Sequence, residues 1–463
     1  MNFISTRGQI EKCSLIDALL MGLAEDGGLL IPSVIPHISS EDLKEWQSLT
    51  YPELMFKIVS LYNNNEIPDQ DLKNIIHQSY SSFRHSEITP VYELNPNVYM
   101  LELFHGPTFA FKDLALQFMG ELYSYVAKKR NKVIHILGAT SGDTGAAAIA
   151  GISGKEGIRI CILHPHEKVS KVQELQMTTV NDQNVLNLAV KGNFDDCQRV
   201  IKEMFGDLEL KEKYHLRAIN SINFIRILAQ SVYYFYAYFR VIEQGQNKKI
   251  NFSVPTGNFG NVFAGMLAKK MGLPIHKLIL ATNENNILEK FIREGIYETG
   301  EFRSTYSPSM DIQIASNFER YLYYLCNEKP QDVVSFMKDF KEKGYITISE
   351  DQRQVVKSEL QGYAVFGEKC LSTIDYVYRT HGYLLDPHTA CGVAAGQALS
   401  HSDEICISIG TAHPAKFNES IERLNITQNF PMEIQSLFGK QQHMKVVDHD
   451  YQQILIHLEE FYK

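Results

Sequence analysis

Short apolar runs alternate with helical patterns over most of the chain after about residue 95, and each run ends in a glycine-rich or polar turn. The four clearest runs are Val133–Leu137, Ile158–Leu163, Asn251–Val254 and Ile405–Ile409. Runs of this length followed by amphipathic or alanine-rich stretches predict β-strands that alternate with α-helices. The pattern therefore predicts an α/β fold with parallel sheets, in which ligands bind at the carboxyl ends of the strands.

The first 95 residues show a different pattern. Helical periodicity covers Leu15–Leu23 and Leu54–Tyr62, and turn residues follow at Asp26-Gly27-Gly28 and Asn63-Asn64-Asn65. We expect a mostly helical N-terminal segment here. Farther along, the aromatic stretch Tyr233–Phe239 predicts a buried helix.

Composition and charge narrow the class of protein. The 463 residues are 44% apolar and 21% charged, which is ordinary globular usage and excludes disordered, collagen-like and coiled-coil classes. The formal charge of −9 argues against nucleic acid or an anionic membrane as the main partner. The chain starts without a basic and apolar leader, so we expect a cytoplasmic protein. Its seven cysteines are scattered singly, which predicts neither disulfides nor a zinc site, and we expect no metal.

One lysine stands in an unusual setting. Lys112 lies between aromatic residues in the segment Phe104–Asp113. Apolar neighbours lower the pKa of an ammonium group, and the neutral amine can form a Schiff base with a carbonyl cofactor. On the segment alone, a surface lysine at the start of a helix remains the alternative.

Two loops resemble anion cradles. Ala139–Gly145 and Pro255–Asn261 each follow an apolar strand and open a helix, so several backbone N–H groups converge in each loop. The first loop could equally be a hydroxyl-rich helix cap without a ligand. The second loop lacks the lysine of a P-loop and the GxGxxG spacing, so it favours a phosphate held by backbone amides over a nucleotide.

A desolvated lysine and two anion cradles on parallel sheets suit pyridoxal 5'-phosphate together with a carboxylated substrate. The chain resembles the threonine synthase family of fold-type-II pyridoxal-phosphate enzymes, in its enteric-bacterial and fungal branch. The matching segments are Ser5–Gly8, Leu23–Gly28, His105–Asp113, Ala139–Gly145, Asn220–Asn223, Pro255–Asn261 and Thr411–Phe417.

The resemblance implies a division into three parts. A mostly helical segment covers residues 1–95, and a large cofactor-binding α/β domain takes residues 96–114 and 216–463. A smaller α/β domain, 115–215, carries the Thr140–Gly145 loop.

The resemblance also implies roles for the cofactor site. Lys112 forms the Schiff base, and the hydroxyl of Thr411 faces the pyridine nitrogen. The cofactor phosphate falls to the loop formed by Gly257, Asn258, Phe259, Gly260 and Asn261. Asp143 has two readings: a protonated carboxyl with a raised pKa that contacts the cofactor's 3-oxygen, or the cap of a helix starting at Thr144.

The substrate side follows from the same resemblance. Thr140, Ser141 and Thr144 grip the substrate carboxylate, and Asn220 and Arg226 are candidates for its phosphate. A structural ion pair remains the alternative for Arg226.

The implied reaction converts O-phospho-L-homoserine and water to L-threonine and phosphate in a monomer or homodimer. A phospholyase that gives a 2-oxo acid, or a non-catalytic metabolite-binding relative, would keep the same cofactor-site residues.

Overall fold

The computed structural model describes residues 1–242 and 248–463, and two β-sheets organise them. The strands of the described residues are β1 Phe3–Ser5, β2 Leu30–Pro32, β3 Val91–Asn95, β4 Val98–Glu102, β5 Ile134–Ala139, β6 Ile158–Pro165, β7 Val185–Lys191, β8 Leu216–Ala218, β9 Ile250–Pro255, β10 Ile275–Thr282, β11 Ile296–Glu298, β12 Tyr345–Thr347, β13 Leu360–Ala364, β14 Ile405–Gly410 and β15 Lys445–Asp448.

Helices surround both sheets. In the same described residues they are α1 Leu15–Met21, α2 Ser40–Trp46, α3 Tyr51–Asn63, α4 Asp69–Tyr80, α5 Lys112–Arg130, α6 Asp143–Ile152, α7 Lys171–Thr178, α8 Phe194–Gly206, α9 Leu208–Lys213, α10 Phe224–Val241, α11 Gly260–Lys270, α12 Ile287–Glu294, α13 Phe318–Leu325, α14 Pro330–Lys343, α15 Glu350–Glu359, α16 Gly367–His381, α17 Pro387–Leu399, α18 Asn418–Glu422, α19 Met432–Gln435 and α20 Tyr451–Tyr462. Two 3₁₀ turns cover Pro308–Met310 and Pro414–Phe417.

The larger sheet has six strands in the order β13-β10-β9-β14-β4-β3. All neighbours pair in parallel except the edge hairpin of β3 and β4, which is antiparallel. Every residue of β9 and of β14 is buried, as expected for central strands with helices on both faces. The α/β prediction is confirmed, and the loops after β9 and β14 leave the same edge of the sheet.

The smaller sheet has five parallel strands in the order β15-β7-β6-β5-β8. Two of its strands, β8 and β15, come from residues 216–463, which the sequence-based division assigned to the large domain. That division is therefore wrong for these two strands. The C-terminal helix α20 also packs on this sheet, where Ile454 and Leu458 join the cluster around Val190 and Leu216. The C-terminal residues therefore pack on the smaller sheet, where α20 buries part of an apolar face of that sheet.

The N-terminal segment is mostly helical, as predicted, with β1 and β2 forming a small antiparallel pair. Its helices α3 and α4 pack against α10 and α5. The segment does not end cleanly at residue 95, because β3 is an edge strand of the larger sheet.

The aromatic helix α10 is buried over nearly its whole length, so its aromatic residues are core, as the sequence predicts. Among the described residues, no helix has the length and apolarity needed to cross a bilayer.

Candidate active site

Loops from both sheets meet at one large cavity of about 2700 Å³. The loops after β9 and β14 come from the larger sheet, and the loop after β5 comes from the smaller sheet. The cavity exceeds the ~300–1,000 Å³ of an ordinary ligand pocket, so it has room for a cofactor and a substrate together. All the site residues suggested by the sequence line it: Lys112, Thr140, Ser141, Asp143, Thr144, Asn220, Arg226, Gly257, Asn258, Phe259, Gly260, Asn261 and Thr411.

A folded-back loop places Lys112 at the start of α5. The backbone N–H and the hydroxyl of Thr108 donate to the Asp113 carboxylate at 2.8 and 2.6 Å. Gly106 permits this turn, since a Cβ there would lie 2.4 Å from the Cβ of Asp113. The loop is therefore closed on itself just before Lys112, which fixes where the lysine side chain begins.

The same loop lies against Thr411. The N–H of Phe111 donates to the carbonyl oxygen of Thr411 at 2.8 Å, and Ala110 forms a β-bridge with Ala412. This pairing holds Lys112 beside the end of β14 independently of any ligand.

Both charged and aromatic groups surround Lys112. Its side chain is only 12% exposed, which excludes the surface-lysine alternative. The Phe111 ring centroid lies 5.7 Å from Nζ, and the nearest ion is Asp143, whose Oδ2 accepts from Nζ at 3.3 Å. Burial lowers the pKa of Lys112, Asp143 opposes this, and the cations Lys416 and Arg226 lower it further.

Asp143 fits neither of its two sequence-based readings. It is the first residue of α6, whose cap position is Gly142, and its own carboxylate does not cap the helix. Its Oδ1 accepts from Lys416 Nζ at 2.8 Å and from Gln173 Nε2 at 2.6 Å. Although burial works in the opposite direction, Lys112 and Lys416 hold the pKa of Asp143 far below its usual range. The carboxylate is therefore ionised and cannot donate a hydrogen bond.

The Thr140–Gly145 loop is a cradle that partly fills itself. The Thr140 hydroxyl accepts from the N–H groups of Gly142 and Gly145 at 3.0 and 2.9 Å. Thr140, Ser141 and Thr144 all line the cavity, but the Thr140 hydroxyl is already occupied within the loop.

The Gly257–Asn261 loop presents the start of α11 to the cavity. Gly257 packs closely against the 3₁₀ turn Pro308–Met310, and a Cβ at position 257 would lie 2.8 Å from the Ser309 carbonyl oxygen. Phe259 has φ +61° and caps the helix in the left-handed region, and the Asn258 carbonyl accepts from the Asn317 N–H at 3.1 Å. The first N–H groups of α11 have no partners within the helix, and Gly260 and Asn261, which carry two of them, line the cavity. A helix start of this kind can bind an anion.

Asn261 in this loop is held by two tyrosines from α10. The hydroxyls of Tyr233 and Tyr234 donate to its side-chain oxygen at 2.6 and 2.8 Å. Its amide Nδ2 is buried and has no partner in the described residues. A donor thus remains available beside the helix start.

Thr411 carries another buried group without a partner. Its backbone N–H donates to the Thr389 hydroxyl at 3.1 Å, and that hydroxyl in turn donates to Asp386. The Oγ1 of Thr411 has no hydrogen-bond partner in the described part of the chain. An orphaned hydroxyl on a cavity wall is the feature expected where a ligand nitrogen completes the bond.

Arg226 has no carboxylate partner among residues 1–242 and 248–463, so the ion-pair alternative is wrong. Its Nη1 donates to the Asn220 carbonyl at 2.9 Å, and its Nε is buried without a partner. Burial lowers the pKa of Arg226 to about 10, and the group stays a cation at neutral pH. An unpaired guanidinium in this cavity calls for an anion.

Sequence reasoning missed Lys416, Gln173 and the pair Asp386 and His388. His388 donates from Nδ1 to Asp386 at 2.8 Å and accepts at Nε2 from the Ser309 N–H at 3.1 Å, which holds the loop against Gly257. Lys416 lies inside the matched segment Thr411–Phe417, and its apolar neighbours Ala415 and Phe417 could have indicated that it is buried. The sequence around Gln173 contains no comparable indication.

Comparisons with known proteins agree with this geometry. Residues 2–80 match the family model "Threonine synthase N terminus", residues 84–409 match "Pyridoxal-phosphate dependent enzyme", and residues 389–456 match "Threonine synthase, C-terminal". Threonine synthase from Pseudomonas aeruginosa is 43% identical over 97% of this chain and 96% of its own length. Threonine synthase from Schizosaccharomyces pombe is 42% identical over 91% of this chain and 88% of its own length. The crystal structure of PLP-bound threonine synthase from Brucella melitensis superposes with a TM-score of 0.97 at 38% identity, covering both chains fully. The chain accordingly belongs to the threonine synthase family of fold-type-II pyridoxal-phosphate enzymes.

Proposed function

We propose that this chain converts O-phospho-L-homoserine and water to L-threonine and phosphate. The main support for this substrate is Arg226, a buried guanidinium that has no carboxylate partner in the described part of the chain and lines the same cavity as Lys112. A phosphorylated amino acid supplies the missing anion, and in a chain of formal charge −9 a local cation favours the binding of that anion.

The residues present fit pyridoxal phosphate. The Gly257–Asn261 loop would hold its phosphate, because a helix start and the free Asn261 amide converge there. The orphaned Thr411 hydroxyl would meet its ring nitrogen. Lys112 would be its point of attachment, and Asp143 supplies the adjacent negative charge. When bound, the cofactor supplies an electron sink for negative charge on the substrate carbons.

The chain's own groups divide the remaining work. Ser141, Thr144 and the N–H groups at the start of α6 bind the substrate carboxylate, since they line the cavity opposite the larger sheet. Arg226, with Asn220 beside it, binds the substrate phosphate and then the released phosphate ion. Lys112 Nζ takes a proton from the substrate and returns it, because its desolvated amine is a base within reach of the cavity.

We also infer a reducing, cytoplasmic setting and action as a monomer or homodimer on a small molecule. The cysteines support the setting, since they are free in the described residues and all but Cys13 are buried.

The test is product analysis with O-phospho-L-homoserine and the cofactor-loaded protein. Threonine and phosphate in equal amounts support the proposal. Release of 2-oxobutyrate with phosphate would instead assign a phospholyase. Absence of turnover in a protein that holds the cofactor would contradict the substrate and leave a binding protein.

A further inference from the structure

A second, fully buried ammonium group lies behind the wall of the cavity. Lys416 has a side-chain exposure of 0%, and it is not part of the cavity lining. Its Nζ donates to Asp143 Oδ1 at 2.8 Å and to the Thr108 carbonyl at 2.7 Å. A lysine is rarely buried unless it is paired, so its position needs a reason.

Asp143 stands between the two lysines. Its Oδ1 contacts Lys416, which lies in the 3₁₀ turn after β14. Its Oδ2 lies 3.3 Å from the Nζ of Lys112, which begins α5. The third charge that faces Lys112 is the Arg226 cation on α10. Gln173 on α7 donates to Asp143 and carries no charge.

The balance of these charges decides the protonation of Lys112. An unpaired Asp143 would hold its nearest amine as an ammonium ion, because an opposite charge within about 4 Å favours the charged form. Lys416 lies closer to Asp143 than Lys112 does and compensates that negative charge. Burial lowers the pKa of Lys112 most, Asp143 opposes it, and the charge of Lys416 works against that opposition.

We propose that Lys416 is a positioning residue that neutralises Asp143 and so keeps Lys112 in the neutral amine form. This inference rests on the proposed role of Lys112 as the attachment residue for the cofactor. Lys416 does not line the cavity, and its charge reaches Lys112 from behind Asp143, both by compensating that carboxylate and by its own repulsion. The purpose of the buried pair is a reactive amine, since only an unprotonated lysine attacks a carbonyl.

A purely structural role is the alternative. The bond from Lys416 to the Thr108 carbonyl ties the 3₁₀ turn to the loop before Lys112, and Gln176 Nε2 donates to the same carbonyl at 3.0 Å. Loss of a purely structural contact would lower stability without a consistent shift in the midpoint pH of Lys112. The direction in which each variant shifts that midpoint therefore distinguishes the two roles.

The experiment measures the amine of Lys112 directly in the full chain freed of cofactor. Trace acetylation with acetic anhydride across a pH series, followed by peptide mass spectrometry, gives the midpoint pH for the Lys112 amine. Exposed Lys202 at the cavity rim is the internal reference for the reagent. The variants are Lys416→Met, Lys416→Arg, Asp143→Asn and the double variant Lys416→Met with Asp143→Asn.

The charge balance predicts a different sign for each variant. Lys416→Met should raise the midpoint by about one pH unit or more, which is roughly a tenfold loss of labelling below the midpoint. Asp143→Asn should lower the midpoint, and Lys416→Arg should leave it nearly unchanged. The double variant should return close to the wild type, because both compensating charges are gone.

An unchanged midpoint in folded Lys416→Met would overturn the proposal, and so would a double variant that stays as far from wild type as Lys416→Met. If Lys416→Met alone does not fold, Asp143→Asn is compared with the double variant: a higher midpoint in the double variant supports the proposal, and equal midpoints contradict it. None of these outcomes depends on the substrate, so product analysis can fail while this inference holds, and the reverse.

Discussion

At the scale of single residues, the cavity gathers buried groups that the protein itself leaves without partners. Arg226 Nε, Thr411 Oγ1 and Asn261 Nδ2 all belong to this set in the described residues. Buried polar groups are nearly always hydrogen-bonded in folded proteins, so their concentration at one cavity marks the places where ligand atoms complete the bonds.

Arg226→Ala tests the substrate-phosphate contact. A charge-assisted hydrogen bond contributes ~1.5–3 kcal/mol, so we expect KM for O-phospho-L-homoserine to rise about tenfold or more while cofactor affinity hardly changes. Arg226→Lys should restore part of the loss, since it keeps the charge without the planar fork. Steady-state kinetics and a cofactor titration provide the two readouts. Equal losses in both would contradict a role toward the substrate.

Thr411→Val tests the hydroxyl at the end of β14. Valine keeps the shape and removes one hydrogen-bonding group, so the dissociation constant for pyridoxal phosphate should rise roughly threefold to tenfold. Thr282→Val is the matched control, because its hydroxyl is also buried without a partner in the described residues but lies outside the cavity lining. Equal affinities in the two variants would show that Thr411 does not contact the cofactor.

At the scale of elements, the site depends on loops that are fixed by other loops. The segment around Ser309 lies against Gly257 on one side and is held by His388 on the other. The loop before Lys112 is pinned to Asp113 and to Thr411. The loop geometry is therefore set by the protein before any ligand binds, which lowers the entropic cost of binding.

Gly257→Ala tests the close packing of the phosphate loop. A Cβ at this position meets the Ser309 backbone at 2.8 Å and Ile312 at 3.0 Å, so the loop must shift. We expect at least a tenfold loss of cofactor affinity in a protein that still folds. Gly300→Ala is the control, since its nearest neighbour would lie 3.8 Å away. Affinity retained in Gly257→Ala would mean that the phosphate binds elsewhere.

The sequence predicted these elements well wherever local patterns suffice. The apolar runs that predicted β5, β6, β9 and β14 lie at those strands within about two residues, because buried parallel strands are continuous apolar segments with polar turns after them. Lys112 was singled out correctly for burial, but its neighbours are ions brought from α6, α10 and the turn after β14. Contacts between residues so distant in the chain leave no local pattern, and the same reason explains the missed roles of Lys416 and Gln173.

At the scale of the whole molecule, the cavity depends on two sheets whose strands come from interleaved parts of the chain. The C-terminal strand β15 and helix α20 complete the smaller sheet, although some 230 residues of the larger unit separate them from β8. Parallel strands that pair in a sheet can be far apart in the chain. The spacing of the motifs therefore could not predict that β15 and α20 join the smaller sheet.

Leu458→Ala tests whether α20 stabilises the smaller unit. Leu458 is 2% exposed and belongs to the cluster with Val190 and Val447, so its truncation should cost ~2–5 kcal/mol in the free energy of unfolding. Ile456→Ala on the same helix is the control, since Ile456 is 56% exposed. Denaturant unfolding of the two variants measures the difference. Equal stability would show that α20 contributes no core.

The central claim is that one cavity between the two sheets holds pyridoxal phosphate on Lys112. Borohydride reduction of the cofactor-loaded protein, followed by peptide mass spectrometry, tests this claim most directly. We predict a pyridoxyl group on Lys112 in the wild type, and no stable label in Lys112→Ala, which should still fold because a single lysine contributes little to the core. A pyridoxyl group on Lys416 or on any other lysine of the wild type would contradict the account.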